Sequence, residues 1–122
     1  MPSNWKQTLG AWGESVAAQY LIEHGFEILA RNQHVSHAEI DLIARFDGML
    51  VFVEVKTRST DTYGTGAESI DERKLALIAD AALQYMQQAE QEIPWRIDVI
   101  AISGSPRAAQ SPQIDWYPNV AV

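Results

Sequence analysis

Two short runs rich in Val, Ile and Phe most strongly limit what this chain can fold into. Residues 39–44 read EIDLIA and residues 51–56 read VFVEVK, and both compositions predict β-strands. Between them lies Asp47-Gly48, a dipeptide typical of tight hairpin turns. Successive side chains of a strand point to opposite faces, so a hairpin closed at this turn has a defined register. In that register one face is apolar, with Ile40, Leu42 and Ala44 opposite Val55, Val53 and Val51.

The other face of the predicted hairpin carries the charges. Asp41 lies opposite Glu54, and Glu39 lies opposite Lys56. Directly opposed side chains have Cβ atoms about 4.5–5.5 Å apart, and like charges at that distance destabilise a sheet. Asp41 and Glu54 therefore need a compensating cation, and a divalent metal with oxygen ligands would supply it.

Two other interpretations of the acids stay open on the residues alone. Asp41 and Glu54 are solvated surface acids in the first, and Lys56 neutralises them in a structural network in the second. Apolar residues flank both acids, however, which indicates strands that run through the interior of a sheet. Acids near a core are seldom without a partner, so a metal or catalytic site is the favoured interpretation.

The order of these motifs has a counterpart in known proteins. Ile40-Asp41 followed by Glu54-Val55-Lys56 resembles the core of the PD-(D/E)XK nuclease superfamily. The wider series over residues 9–103 is similar to the bacterial YraN family, which is placed by fold beside archaeal Holliday-junction resolvases. This series comprises Gly13-Glu14, Ala17-Ala18, Tyr20-Leu21, His24-Gly25-Phe26, residues 28–32, 39–44 and 51–56, Arg58, and residues 96–102. The family usually has Gly before Glu39, where this chain has Ala38.

The resemblance implies an α/β fold and a reaction. The fold is a restriction-endonuclease-like single domain with an αβββαβ core, in which helices flank a central mixed sheet. The implied function is metal-dependent hydrolysis of phosphodiester bonds in DNA or RNA, with branched or structured nucleic acid among the substrates. Asp41 and Glu54 would hold Mg²⁺ or Mn²⁺, Glu14 would be a further ligand, and Lys56 would act on the phosphate or the attacking water. From its helical neighbours alone, Glu14 could equally be a solvated residue beside the apolar stripe of its helix.

The predicted domain spans residues 1–122, with its core at about 9–103 and a C-terminal loop and edge strand at 104–122. Apolar residues at helical spacing predict a first helix over 9–23. Strands are predicted over 26–31, 95–102 and 114–117, besides the hairpin. Ser69-Ile70-Asp71-Glu72 has the form of a capping box and predicts the start of a second helix.

Four residues are candidates for contact with nucleic acid: Arg31, Arg58, Tyr63 and Lys74. Tyr63 would stack on a base, Arg58 would contact a phosphate, and Lys74 would face the loop end of the site. For Lys74 a solvated position in the first turn of its helix is the favoured interpretation. Two other predictions concern residues outside the site: Asp98 has a cross-strand or capping partner, and His34 and His37 are solvated loop histidines.

The charge balance argues against tight binding to nucleic acid. The chain has 16 acidic and 9 basic residues, a formal net charge of −7, although most of the bases precede Leu75. Nucleic-acid-binding proteins usually carry a basic surface, so we expect weak binding or a protein partner that supplies the charge. The alternative function is a non-catalytic binding or interaction module on a nuclease fold. A structural subunit that binds no metal is a third possibility, and a homodimer is compatible with each.

Composition limits the remaining possibilities. Hydrophobic residues make up 47% of 122 residues, enough for one globular domain with a real core. The chain has no cysteine, so it has no disulfide and no thiol nucleophile. The first residues, MPSNWK, contain no apolar signal segment. A cytoplasmic location is therefore the expectation.

Overall fold

A computed structural model describes residues 5–59, 71–90 and 92–120, with the backbone alone for residues 5 and 6. Two helices and five strands occur in this part of the chain, in an α-β-β-β-α-β-β order. They are α1 (Trp5–Glu23), β1 (Glu27–Val35), β2 (Ala38–Phe46), β3 (Met49–Arg58), α2 (Glu72–Gln88), β4 (Trp95–Ser103) and β5 (Gln113–Tyr117). The predicted αβββαβ core and the short final strand are confirmed.

The five strands form one mixed sheet in the order β1-β2-β3-β4-β5. Neighbouring strands are antiparallel except β3 and β4, which are parallel. Parallel neighbours need a long crossover connection, and α2 lies in the segment that joins these two strands. The N-terminus of α2 therefore follows the C-terminal end of β3 in sequence.

Each helix covers one face of the sheet, so the central strands are apolar on both sides. On the α1 face Ala17 and Leu21 pack with Leu42, Val53 and Ile100. On the α2 face a second buried cluster contains Leu75, Ile78, Ala82, Ile43, Phe52 and Ile97. A strand that is buried on both faces loses the simple alternation of apolar and polar residues.

The predicted hairpin register is confirmed beside the turn. The pairs run from Phe46 with Met49 to Leu42 with Val53. Asp47 and Gly48 both have positive φ, 52° and 74°. A two-residue turn with two positive φ angles matches the right-handed twist of the strands, which explains why Asp-Gly is found here.

The register prediction is wrong beyond Leu42. Ile40 belongs to the α2-side cluster although Leu42 belongs to the α1-side cluster, so the alternation of side chains breaks at Asp41. In β1 the residue at the same level is Asn32, which has a positive φ of 52°. The two strands are thus distorted at the same level. There the Val55 N–H donates its hydrogen bond to the Asp41 carboxylate and not to a backbone carbonyl.

The distortion also removes the predicted opposition of Glu39 and Lys56. Glu39 pairs instead with His34 of β1, through a 3.2 Å contact between Glu39 Oε2 and His34 Nε2. Lys56 pairs with Ala101 of β4 in the backbone ladder. His34 is therefore a strand residue and not a loop residue as predicted, whereas His37 does lie in the turn between β1 and β2.

Three predicted boundaries are corrected by the structure. Helix α1 begins four residues earlier than its apolar stripe indicates, and β1 extends to Val35 through polar residues. Helix α2 is capped by Asp71, whose carboxylate accepts from the N–H of Arg73, so the N-cap lies two residues after the predicted one at Ser69, which is outside the described residues. Strand β1 also carries a bulge at Leu29, which has no partner in β2 between the pairs made by Ile28 and Ala30.

Candidate active site

Glu54 is the central residue of the candidate site. It follows Phe52 on the α2-side face of β3, and its side chain is only 3% exposed. Lys74 Nζ lies 2.5 Å from Glu54 Oε1, and Lys56 Nζ lies 3.5 Å from the same atom. Neither ammonium is aligned as a hydrogen-bond donor, and the buried Oε2 has no hydrogen-bond partner in the described part of the chain. Such an unsatisfied buried oxygen is costly, and functional sites are where it is tolerated.

Lys74 reaches Glu54 from the first turn of α2. Burial lowers the pKa of Lys74, but the Glu54 carboxylate, a hydrogen bond with Lys56 and the charge of Asp41 together raise it more, so that the net change is upward. The ammonium therefore stays charged at neutral pH. The sequence favoured a solvated Lys74, whereas the structure places its ammonium against the buried acid Glu54.

Asp41 lies where β2 and β3 separate. Its Oδ2 accepts a 2.8 Å hydrogen bond from the Val55 N–H. Burial and the nearby charge of Glu54 raise the pKa of Asp41 to about 7, although the Val55 hydrogen bond and Lys74 act in the opposite direction. Asp41 and Glu54 are thus close enough to repel each other, as predicted, although a strand distortion and not a regular ladder brings them together.

Glu14 of α1 approaches the acids from the other side of the sheet. Burial raises the pKa of Glu14, a hydrogen bond from Asn32 and the charge of Arg31 lower it, and the charges of Glu39 and Glu54 raise it further. Glu14 also contributes to the raised pKa of Asp41. The charges of the three acids that the resemblance implied as ligands thus affect one another, but in the described part of the chain no three such side chains converge on one metal position.

Gly13 allows α1 to approach β3 closely beside these acids. A Cβ atom at position 13 would lie 2.0 Å from Thr57 Oγ1 and 2.9 Å from Thr57 Cβ. These separations are far below van der Waals contact, so a residue with a side chain cannot occupy this position without moving the helix. The sequence signal was the glycine directly before Glu14, but only the structure identifies Thr57 as its neighbour.

Comparison with known proteins now identifies the family. The model of the uncharacterised protein family UPF0102 matches residues 13–102, a range that contains Glu14, Asp41, Glu54, Lys56 and Lys74. The chain belongs to UPF0102. A UPF0102 protein of Roseiflexus castenholzii is 48% identical over 84% of each chain. A UPF0102 protein of Geobacter metallireducens is 40% identical over 93% of this chain and 91% of its own, and one of Herpetosiphon aurantiacus is 37% identical over 96% of each.

The remaining predicted site residues of this UPF0102 chain lie in different settings. Arg31 donates a 3.0 Å hydrogen bond to Ser15 of α1 and so faces the protein. Arg58 is the last residue of β3, and its carbonyl accepts from the Gly104 N–H. Tyr63 lies outside the described residues. Among the predicted nucleic-acid contacts, Lys74 lies against Glu54, and Arg31 is close enough to Glu14 for its charge to lower the pKa of that acid.

Asp98 has the structural role that its position predicts. It is fully buried on β4, and Arg96 donates to both of its oxygens at 2.9 and 3.2 Å. Trp116 Nε1 and the Asn119 N–H donate two more hydrogen bonds, each of 2.9 Å. These four hydrogen bonds use the acceptor capacity of the Asp98 carboxylate. Asp98 therefore links the C-terminal strand to β4 and has no oxygen lone pair left for a ligand.

None of the helices in the described ranges is both long and apolar enough to cross a bilayer.

Proposed function

We propose that this UPF0102 protein is a metal-dependent phosphodiesterase of nucleic acid, with DNA preferred to RNA and branched or structured molecules among its substrates. The observation that carries the proposal is the buried, unpartnered Oε2 of Glu54 beside Asp41. Buried acids that repel each other and carry a shifted pKa are concentrated at cation-binding and catalytic sites, and this supports the proposal.

The residues fit Mg²⁺ or Mn²⁺ better than a metal with an all-protein cage. In residues 5–59, 71–90 and 92–120, no three His, Asp or Glu side chains converge as a complete ligand group. Mg²⁺ does not require one, because it commonly uses one or two carboxylates together with water and substrate phosphate. Glu54 offers Oε2, and Asp41, which uses Oδ2 for Val55, offers its second oxygen. Glu14 would join these two as a further ligand, directly or through water.

The chemistry would divide among the metal and two side chains. A bound divalent metal lowers the pKa of a coordinated water and neutralises charge on the phosphate. Asp41, with a pKa of about 7, is partly protonated at neutral pH without a cation, and a nearby cation favours its ionised form. Lys56, beside Glu54 on β3 and 24% exposed, would stabilise the charge that develops on the phosphoryl oxygens.

A non-catalytic module is the second candidate, and the charge of the chain favours it. The net charge is −7, and both Arg31 and Lys74 contact groups of the protein itself. A chain with few available cations binds nucleic acid weakly, because each phosphate contact needs one. In that case a protein partner would supply the basic surface.

The first experiment tests metal binding by thermal unfolding with Mg²⁺ or Mn²⁺. A ligand bound to the folded state alone stabilises it by about 2.7 kcal/mol at a hundredfold excess over Kd. Asp41→Asn and Glu54→Gln should each abolish the increase in Tm. Glu27→Gln, which neutralises an exposed acid of β1, is the matched control and should keep it. An unchanged Tm of the wild type at millimolar metal would contradict the proposal.

The second experiment separates an enzyme from a binding module. Cleavage of labelled duplex, four-way-junction and single-stranded DNA is measured with Mg²⁺. The wild type should cleave at least one of them, and Lys56→Ala should lose cleavage while its metal-dependent Tm increase remains. Metal binding without cleavage of any substrate would favour the non-catalytic module.

A further inference from the structure

We infer that Lys74 is an internal counter-cation of Glu54, which leaves the carboxylate when a divalent metal binds and then contacts a phosphate of the nucleic acid. The inference rests on the proposed function and extends it to the order of binding. It begins from the 2.5 Å contact between Lys74 Nζ and Glu54 Oε1, the shortest ion pair among the described residues.

The space around Glu54 is too small for a hydrated metal while Lys74 covers it. A cavity of about 10 Å³ lies beside the carboxylate. It is lined by Glu54, Lys56, Asp71, Lys74, Leu75 and Val99. Such a volume holds about one water molecule, whereas Mg²⁺ usually keeps several water ligands. Movement of the Lys74 side chain into solvent would enlarge this cavity. That side chain is 47% exposed and lies in the first turn of α2.

Lys56 is less able to move away from Glu54. It lies two residues along the same strand, and its backbone is held in the sheet by its pairing with Ala101 of β4. Its side chain is 24% exposed, half as much as that of Lys74. Lys74 approaches from a different element, through a long side chain whose rotation into solvent requires no change in the sheet. The two lysines therefore have different roles, with Lys56 fixed in the site and Lys74 exchangeable.

The charges give a reason for the exchange. A divalent cation on Glu54 Oε2 would face the Lys74 ammonium across a single carboxylate, and the two cations would repel each other. After its release from Glu54, the Lys74 ammonium remains beside the site and contacts a phosphate of the substrate backbone. Metal and nucleic acid then bind with positive coupling, and by linkage each increases the affinity of the other by the same factor.

The first test measures metal binding without nucleic acid, from the electron paramagnetic resonance signal of free Mn²⁺. Lys74→Met removes the competing charge and keeps the length of the side chain, so it should bind Mn²⁺ at least about fivefold more tightly than the wild type. Lys74→Arg should restore affinity close to that of the wild type. Arg73→Met is the matched control, since it removes an equal, exposed charge from the same helical turn and should leave the affinity unchanged.

The second test measures nucleic-acid binding by fluorescence anisotropy, with Ca²⁺ present to fill the site. Lys74→Met should bind a labelled four-way junction more weakly than the wild type does. Its slope of log K against log salt should fall by about 0.9, the value for one lost phosphate contact. Omission of Ca²⁺ should weaken binding by the wild type more than binding by Lys74→Met, because only the wild type has an ammonium to release.

A measurement on the wild type keeps the inference testable if Lys74→Met fails to fold. An amine-reactive acetylating reagent, with the products read by mass spectrometry, should modify Lys74 faster after Mg²⁺ is added. Lys56 should not show the same increase.

The outcomes separate this inference from the proposed function. If the wild type binds Mn²⁺ and Lys74→Met binds it with equal or lower affinity, the counter-cation role is overturned and the metal site stands. If Lys74 becomes less reactive when Mg²⁺ is added, the role is likewise overturned. If the wild type binds no metal at all, both proposals fail together.

Discussion

Asp98 on β4 and Glu54 on β3 are buried carboxylates at adjacent levels of neighbouring strands, yet their oxygens have different surroundings. Asp98 receives four hydrogen bonds, two from Arg96 and one each from Trp116 and Asn119. Glu54 has two ammonium groups near Oε1 and, in the described part of the chain, no hydrogen-bond partner for Oε2. A fully satisfied buried acid stabilises the fold, whereas an unsatisfied one keeps an oxygen available for a ligand.

The largest effect on the free energy of unfolding is expected for Asp98, the one of these two acids that stabilises the fold. Asp98→Ala leaves the charge of Arg96 and the N–H groups of Trp116 and Asn119 without their acceptor. Loss of one partner of a buried ion pair typically lowers the free energy of unfolding by about 3–5 kcal/mol, and we expect a loss of this size in urea unfolding. Asp115→Ala on β5 is the control. It removes a contact with Gln113 at the surface and should change stability by no more than about 0.5 kcal/mol.

The next test uses pH to probe the repulsion around Glu54. A carboxyl group whose pKa is higher in the folded state than in the unfolded state makes folding less favourable as pH rises between the two values. For Asp41 these are 3.8 and about 7. Without divalent metal, the wild type should therefore lose on the order of 2–4 kcal/mol relative to Asp41→Asn between pH 4 and 8. Parallel pH profiles of the two proteins would contradict the raised pKa.

A smaller effect is expected from Gly13, which sets the distance between α1 and β3. Gly13→Ala places a methyl group against Thr57, and overpacking of this kind typically costs about 1–3 kcal/mol. Because the displaced helix carries Glu14, the Tm increase produced by Mg²⁺ should also decrease. Addition of Thr57→Gly to Gly13→Ala should recover part of both losses, and strictly additive effects would show that the contact is not the cause.

The smallest expected effect is on the stability of Glu54→Gln without metal. Lys56 and Lys74 are 24% and 47% exposed, so both can be solvated once the carboxylate is neutral. Loss of the Glu54 charge removes its attraction to the two ammonium groups but also its repulsion of Asp41. Because these effects oppose each other, we expect the free energy of unfolding in urea to change by no more than about 1 kcal/mol in either direction. A loss as large as that of Asp98→Ala would end the distinction between the two acids and make Glu54 a structural residue.

Much of the fold could be predicted from local patterns in the sequence. The turn at Asp47-Gly48 fixes the register of the adjacent pairs, because both residues adopt a positive φ that few other dipeptides tolerate. The interior of α2 follows its apolar spacing, with Leu75, Ile78 and Met86 buried on the side that faces the sheet. These features depend on neighbours in sequence, and this is the information that a single chain carries most directly.

The candidate site could be predicted only in part, because its geometry depends on distant elements. The proximity of Asp41 to Glu54 was predicted from a register that stops at Leu42, before these residues. The break in alternation opposite Asn32 was not predicted, since a positive φ at an asparagine has no clear signature. The contact between Lys74 and Glu54 depends on how α2 crosses from β3 to β4. The spacing of apolar residues in β3 and in α2 does not predict the direction in which the helix crosses the sheet.

The bulge at Leu29 has a consequence for association between copies of this chain. Strand β1 forms one border of the sheet and offers nine residues of backbone, long enough to accept a strand from another molecule. The extra residue at Leu29 and the left-handed Asn32 interrupt the regular spacing of N–H and C=O groups along this border. An edge strand with irregular spacing pairs poorly with a further strand, so β1 is protected against uncontrolled edge-to-edge association. A dimer of this protein should therefore be sought on its helical faces.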